Sequence, residues 1–355
     1  MPTPTDTLIM GASYGSLLAT KLLFAGHNVK LVCLPAEAEV INREGTRVRL
    51  PIKGREPVEI DSRKLPGKLS ADAPNAVDPA DYDLVALAMQ EPQYGSPGVR
   101  ELLDKVARAR VPCMSIMNMP PLTYLKRVPG LDVAGLTSAY TDPSVWQNFD
   151  SACMTLCSPD PQAFRPPEEP VNVLQVTLPT NFKAARFESD EHTALLRRMQ
   201  ADIEAVRFPA GDAGVELPVK LKVHDSVFVP LAKWAMLLTG NYRCVTKDGA
   251  RAIRDAVHTD LAQSRSVYDW VRELCITLGA APADLVPFEK YATAGEGLSR
   301  PSSAARALFA GAPNIERVDR LVQLIAAQKG MRNPIVDETV ALVDAQLAAN
   351  RKKAA

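Results

Sequence analysis

The sequence has no surplus of either charge: Lys plus Arg and Asp plus Glu number 41 each. A chain so balanced offers no general attraction to nucleic acid or to an anionic membrane, and neither partner is expected. It has no apolar run long enough to span a bilayer. Its start, MPTPTDTLIMG, has no basic stretch followed by an apolar one and a small-residue cleavage site, so a cytoplasmic location is expected. The histidines are few and far apart: His27, His192, His224 and His258. The six cysteines are scattered as well, with one close pair, Cys153 and Cys157. A zinc site would want two close pairs or nearby histidines, and a disulfide framework is out of place in a cytoplasmic chain of this size. No metal is expected. No internal repeat is visible.

What is present is enough chain for two domains, 355 residues, and 46% hydrophobic residues to fill their cores. The first half alternates strands and helices. TLIMG reads as a short buried strand, followed by a glycine turn, a helix carrying Leu17, Leu18, Leu22 and Leu23, a cap at Gly26, and a second strand, NVKLVCL. That is a right-handed βαβ unit. YDLVALAM and VPCMSIMN read as further strands of a parallel sheet, with the amphipathic VRELLDKVARA between them. DVAGLTSAY and VNVLQVTLP read as later strands. The stretch 158–170 carries five prolines, which exclude regular helix or central strand, and reads as a loop or excursion. From about Val219 the pattern is helical almost to the end. The expected architecture is α/β: a Rossmann-type, doubly wound dinucleotide-binding domain over 1–217 and an all-helical substrate or dimerisation domain over 218–355. Ligands of such sheets bind beyond the carboxyl ends of the strands, and the second domain is expected to close that crevice.

The turn GASYGS holds only two glycines. Gly11 takes the tight-turn role and Gly15 the helix–strand packing role, with Ala12, Ser13 and Tyr14 between them, one residue fewer than the usual fingerprint. The amides of this helix start, with a hydroxyl from Ser13 or Ser16, suit a pyrophosphate. A plain strand–helix turn is the alternative. At the end of the second strand, where an acid would mark NAD, stands Leu34; Glu37 lies three residues on and also suits the first turn of a helix. A 2′-phosphate would want a cation, and Lys30, Arg43 or Lys53 would serve only if the fold brought one round.

Lys233 is the sole charge between Val227 and Tyr242. An ammonium in such a run needs a partner or a task, unless it reaches solvent from a helix edge. A lysine at a carbonyl oxygen can act as general acid and steady a developing alkoxide. Asn241, eight residues on, is about 80° round an ideal helix and can face the same cleft; Gly240-Asn241 is equally a helix stop. Asn118 follows a parallel strand and can meet a ribose or substrate, or serve the turn before Pro120-Pro121. Ser302 or Ser303 can cap a helix; Ser303 can also bind a substrate carboxylate, with Arg306 beside it.

Together these parts resemble the ketopantoate reductase family, within the 6-phosphogluconate-dehydrogenase-like oxidoreductases. The likeness lies in the opening turn with AGHNVKLV, in EAEVINREGTRVRL, in Asn118 after CMSIMN, in LAKWAMLLTGN with Lys233 and Asn241, and in PSSAARAL followed by NIERVDRLVQ. The resemblance implies reduction of a small polar 2-oxo acid to a 2-hydroxy acid, with Lys233 as general acid and Glu316 as the late acidic residue. It implies substrate contacts from Asn118, Asn241, Ser303 and Arg306. It favours NADP(H) over NAD(H), held by Gly11, Ala12, Ser13, Tyr14, Gly15, Ser16, Leu34, Gln90, Gln93 and Asn118, and it suggests a homodimer. The departures are Leu34 for the family's basic residue, Gln90 for its lysine, Asn118-Met119 for Asn-Gly, and Leu237 for a helix asparagine. An opine- or imine-type dehydrogenase and a catalytically silent binding protein remain open on the same scaffold.

Overall fold

The structure, a computed structural model, describes residues 3–209 and 214–354. In chain order the main elements are β1 (Asp6–Met10), α1 (Ala12–Phe24), β2 (Asn28–Val32), α2 (Pro35–Glu44), β3 (Arg47–Leu50), β4 (Val58–Asp61), β5 (Leu69–Asp72), β6 (Leu84–Leu87), α3 (Val99–Ala109) and β7 (Cys113–Ile116). Then come α4 (Leu122–Leu125), β8 (Met154–Ser158), β9 (Gln162–Phe164), β10 (Val173–Leu178), β11 (Phe182–Ala185), α5 (Asp190–Ala205) and β12 (Leu221–His224). The rest is mostly helical: α6 (Lys233–Met236), α7 (Ile253–His258), α8 (Leu261–Thr277), α9 (Phe288–Gly295), α10 (Ser303–Phe309), α11 (Val318–Gln328) and α12 (Pro334–Ala354).

The chain forms two units. The first comprises Met1–Met89, Gln93–Met117 and Val145–Asp225; the second comprises Gln90–Pro92, Asn118–Ser144 and Ser226–Ala355. The chain therefore passes into the second unit shortly after β6 and again after β7.

The first unit is built on an eight-stranded sheet in the order β12-β11-β8-β7-β6-β1-β2-β5. All neighbours run parallel except β8 and β11. The buried strands carry apolar side chains on both faces, as a covered parallel sheet requires. Ile9 lies opposite both Leu31 and Ala86 in register. Strand order reverses at β1, which pairs β2 on one side and β6 on the other, and this switch point is where such sheets bind ligands. A second sheet, β4-β3-β10-β9, shares the core: Val48, Leu50, Leu174 and Val176 cluster with Leu17 and Leu22 of α1. The fold class is the Rossmann-type α/β arrangement with a helical C-terminal region that the sequence pattern implies.

Four local expectations need correction. The chain is not helical from about Val219: Leu221–His224 is β12, the edge strand whose ladder parallel β11 completes, so pairing rather than local pattern decides it. DVAGLTSAY is no strand: Ala134–Ala139 is a 3₁₀ turn, started by the Asp132 carboxylate, which accepts the Ala134 amide at 3.0 Å. A short acidic side chain bonded to the backbone two residues on is turn chemistry, and it wins over the apolar content. Within 158–170 the chain does form a strand, β9, but only three residues at a sheet edge, the one place where flanking prolines leave no ladder bond unmade. CMTLC, noted only for its cysteines, supplies most of the interior strand β8.

In the second unit, the run from Pro230 to Cys244 is helical throughout but changes pitch. A 3₁₀ turn leads into α6, a π turn over Leu237–Asn241 follows, and a 3₁₀ turn ends it. Gly240 does not stop this helix. A Cβ there would lie 2.1 Å from the Tyr291 hydroxyl, which donates to the Met236 carbonyl at 3.1 Å. The glycine is there for close approach. Among the described residues no helix is long and apolar enough to cross a membrane.

Candidate active site

The dinucleotide turn lies in the first unit. Gly11 has φ +107°, and a Cβ there would come within 2.8 Å of the Ala88 carbonyl oxygen at the end of β6. A Cβ on Gly15 is ordinary in backbone terms but would sit 2.7 Å from Ile9 Cγ2. The two glycines thus hold the tight-turn and packing roles. No side chain caps α1, so its first amides are open to an anion. Ser13 is exposed beside them. Ser16 is not available, since its hydroxyl donates back to the Ala12 carbonyl one turn earlier. Tyr14 also turns inward: its hydroxyl donates to the Pro161 carbonyl at 2.7 Å and its ring meets Phe182 edge-on. The cradle fits a dinucleotide's phosphates through Gly11, the amides after it and Ser13. Ala12 is buried and Gln93 exposed, while Leu34 is 73% exposed at the head of α2.

The second unit contains a narrow cavity lined by Gln90, Asn118, Leu237, Asn241, Tyr242, Ser303, Ala304, Ile315 and Glu316. Six of these nine were singled out from sequence, yet they lie up to 226 positions apart. Its room, about 20 Å³, suits a water, so an organic substrate enters only with side-chain movement. A larger cavity of about 340 Å³, among Trp270, Arg320, Met331 and neighbours, gathers none of the residues singled out.

Glu316 is the chemical centre of the narrow cavity. It is 8% exposed. Asn118 Nδ2 donates to its Oε2 at 3.3 Å and the Glu91 amide to its Oε1 at 3.4 Å, both long bonds. Burial dominates over these, and with repulsion from the Glu91 carboxylate it pushes the Glu316 carboxyl up to about 7. Asn118 keeps a buried Oδ1 with no hydrogen-bond partner, an acceptor aimed at nothing in the protein. Tyr242 fixes the loop, since its hydroxyl donates to the Glu316 carbonyl and accepts the Val318 amide at 3.0 Å.

Ser302, buried, is the cap of α10: it accepts the Ala305 amide at 3.1 Å and donates to the Asn241 carbonyl at 2.7 Å. That leaves Ser303 exposed at the cavity lining. Leu237 and Asn241 line it from successive turns of the helical run. Lys233, one turn earlier and half-buried, does not line it. Nor does Arg306, whose guanidinium donates to the Pro301 carbonyl at 2.6 Å. Glu91 went unremarked in the sequence. It is 2% exposed and accepts both the amide and the hydroxyl of Thr141 at 2.9 Å. An acid directly after an apolar strand, in MQEPQ, is the signal that could have marked it.

No protein-family profile matches the sequence, and no curated protein matches it either. Solved structures do match in shape. A protein of Ralstonia solanacearum MolK2 assigned as a ketopantoate reductase superposes with a TM-score of 0.66 at 14% identity, over 98% of this chain and 99% of that one. The chain has the ketopantoate reductase fold. The 2-dehydropantoate 2-reductase of Methylococcus capsulatus matches with a TM-score of 0.63 at 14% identity, over 97% of each chain. D-mandelate dehydrogenase, in its ternary structure with NADH and anilino(oxo)acetate, matches at 0.63 and 14%, over 98% and 99%.

Proposed function

We propose that this chain is a nicotinamide-dependent reductase of a small polar 2-oxo acid, using NADPH and acting as a homodimer in the cytoplasm. The observation that carries the reading is the convergence in one cavity of Gln90, Asn118, Asn241, Ser303 and Glu316, with Glu316 poised near neutral pH. The ketopantoate reductase fold supports it, as does the oxo-acetate in the D-mandelate dehydrogenase structure.

A nicotinamide dinucleotide, when bound, supplies the hydride. The chain's own residues do the rest. Asn241 and Ser303 donate hydrogen bonds to the oxo acid and fix which face of the carbonyl is presented, while Asn118 Oδ1, an acceptor, takes a hydroxyl or amide proton of the substrate or nucleotide. Lys233, one turn before Leu237 and outside the cavity lining, is the assigned proton donor: the side-chain movement that admits the substrate brings its ammonium to the carbonyl oxygen, where it gives up a proton and steadies the alkoxide. Glu316, whose carboxyl burial raises to about 7, accepts from Asn118 Nδ2 and so orients Asn118 toward the bound acid.

The test is titration with NADPH and NADH, followed by a panel of 2-oxo acids. Lys233→Ala should cut turnover about 10²- to 10⁴-fold while leaving nucleotide affinity within about threefold. Unchanged turnover would remove Lys233 from its role, and failure to bind either nucleotide would leave a silent binding protein.

A second reading rests on one feature: the nine lining residues include a carboxyl but neither Lys nor Arg. That balance suits a protonated C=N group, as in an opine- or imine-type dehydrogenase. Turnover that requires an amine together with the 2-oxo acid would select it.

A further inference from the structure

The cation missing from the end of β2 arrives from elsewhere in the chain. Arg165, in the proline-rich stretch, forms an ion pair with Glu37 in the first turn of α2, both side chains partly buried. Leu34, at the head of the same helix, is exposed. The cations nearer in sequence have other partners or surroundings than this helix start: Lys30 pairs with Asp72, Arg43 with its neighbour Glu44, and Lys53 is exposed on the loop between β3 and β4, whereas Arg165 pairs with Glu37 in the first turn of α2 itself. Cys33, beside Glu37 and Arg165, stays a neutral thiol, because burial and then the Glu37 charge push it up to about 12.

The segment that delivers Arg165 is pinned on both sides. Upstream, the Pro161 carbonyl accepts the Tyr14 hydroxyl, on the helix that follows the glycine turn. In β9, Ala163 and Phe164 pair with Val176 and Gln175 of β10. Downstream, Glu169 pairs with Arg49 of β3 at 2.8 Å. Prolines at 159, 161, 166, 167 and 170 stiffen the intervening backbone. Arg165 is thereby held in place before any ligand binds, which lowers the ordering cost of binding.

Given the nucleotide-binding reading above, on which this rests, we propose that Arg165 is the residue that selects the cofactor, by binding the 2′-phosphate of NADPH beside the end of β2. The position is right, because the residue beyond β2 of a dinucleotide fold reads the adenosine ribose. The chemistry is right, because a guanidinium offers five donors in a fork and Glu37 engages one edge. Glu37 holds the fork in the free protein and takes the ribose hydroxyl when the phosphate is absent. The proline-rich stretch is then a cofactor-specificity element.

The experiment is calorimetric titration of the full chain with NADPH, NADH, 2′,5′-ADP and 5′-ADP. The two half-cofactors report the adenosine end without any reduction step. The wild type should bind NADPH and 2′,5′-ADP more tightly than NADH and 5′-ADP. Arg165→Ala should lose about 10- to 100-fold toward the 2′-phosphorylated ligands and change less than about threefold toward the others. Glu37→Gln should keep or raise NADPH affinity. Arg165→Lys, which keeps the charge, serves if the alanine variant misfolds, and should retain part of the preference. Equal loss toward both ligand types, no loss, or a wild-type preference for NADH overturns the proposal and leaves the reductase reading standing. Binding of neither nucleotide overturns both.

Discussion

Glu316→Gln should make the protein more stable at alkaline pH and leave it no more stable at acidic pH. The carboxyl has an ordinary value near 4.5 in the unfolded chain and about 7 in the folded one. Folding therefore favours the protonated form. Below about pH 4.5 both states are protonated and no penalty exists. As pH rises from about 4.5 to 7 the unfolded chain releases a proton that the folded chain keeps, so stability falls. Above about 7 the full penalty stands, about 3 kcal/mol. The neutral amide removes it. The amide also replaces one accepting oxygen by an NH2 that faces a donor, and a mismatched bond costs about 1 kcal/mol. The net gain at pH 8 is about 2 kcal/mol, fading to nothing or a slight loss near pH 5. Glu91 lies against the same group and is itself raised by burial, so the pair titrates together and the slope spreads rather than reverses. Urea unfolding at a series of pH values reads this directly, through Trp234 and Trp270, both in the helical unit. A stability difference that is constant from pH 5 to 8 would refute the reasoning, because it would mean that Glu316 titrates alike in both states.

Two further outcomes test the first unit. Gly15→Ala places a Cβ 2.7 Å from Ile9 Cγ2; the crowding costs about 1–3 kcal/mol and a better helix former returns up to about 1, so the urea midpoint should fall, and an unmoved midpoint would show that α1 can shift off β1. Lys21 is 4% exposed, donates to the Pro218 carbonyl at 3.0 Å, and is lowered to about 7 by burial and by Lys220. Its charging penalty is complete below about pH 7 and is relieved as pH rises toward 10.5, so Lys21→Met should stabilise the protein by about 1–3 kcal/mol at pH 7 and by less at pH 10; a gain independent of pH would contradict this.

Local signals made much of the fold legible. The strands in TLIMG, NVKLVCL, YDLVALAM, VPCMSIMN and VNVLQVTLP are apolar runs of strand length between turn residues, and they form β1, β2, β6, β7 and β10. The short strands FKAA and LKVH carry no such run; they are strands because β8 and each other complete their ladders. DVAGLTSAY failed for the converse reason, since one carboxylate two residues before the turn outweighed its apolar content. That Gln90–Pro92 and Asn118–Ser144 join the helical unit depends on partners far along the chain, such as Thr141 for Glu91 and Glu316 for Asn118. No window of sequence contains those pairs.

The lysine helix shows where sequence geometry and structure part most usefully. An ideal α-helix sets Asn241 about 80° from Lys233, far enough round to blur whether both face one cleft. The π turn over Leu237–Asn241 puts an extra residue into the coil, and Leu237 and Asn241 both line the cavity while Lys233 does not. Such turns depart from good hydrogen-bond geometry and persist where surrounding packing holds them. Here Gly240 admits the Tyr291 hydroxyl, and the Asn241 carbonyl accepts from Ser302. The same serine that caps α10 thus ties it to the π turn, and α10 begins with Ser303. The Ser302 hydroxyl, which does not line the cavity, ties the turn that carries Asn241 to the start of the helix that carries Ser303, so the blander of the two serines in the sequence links two lining residues.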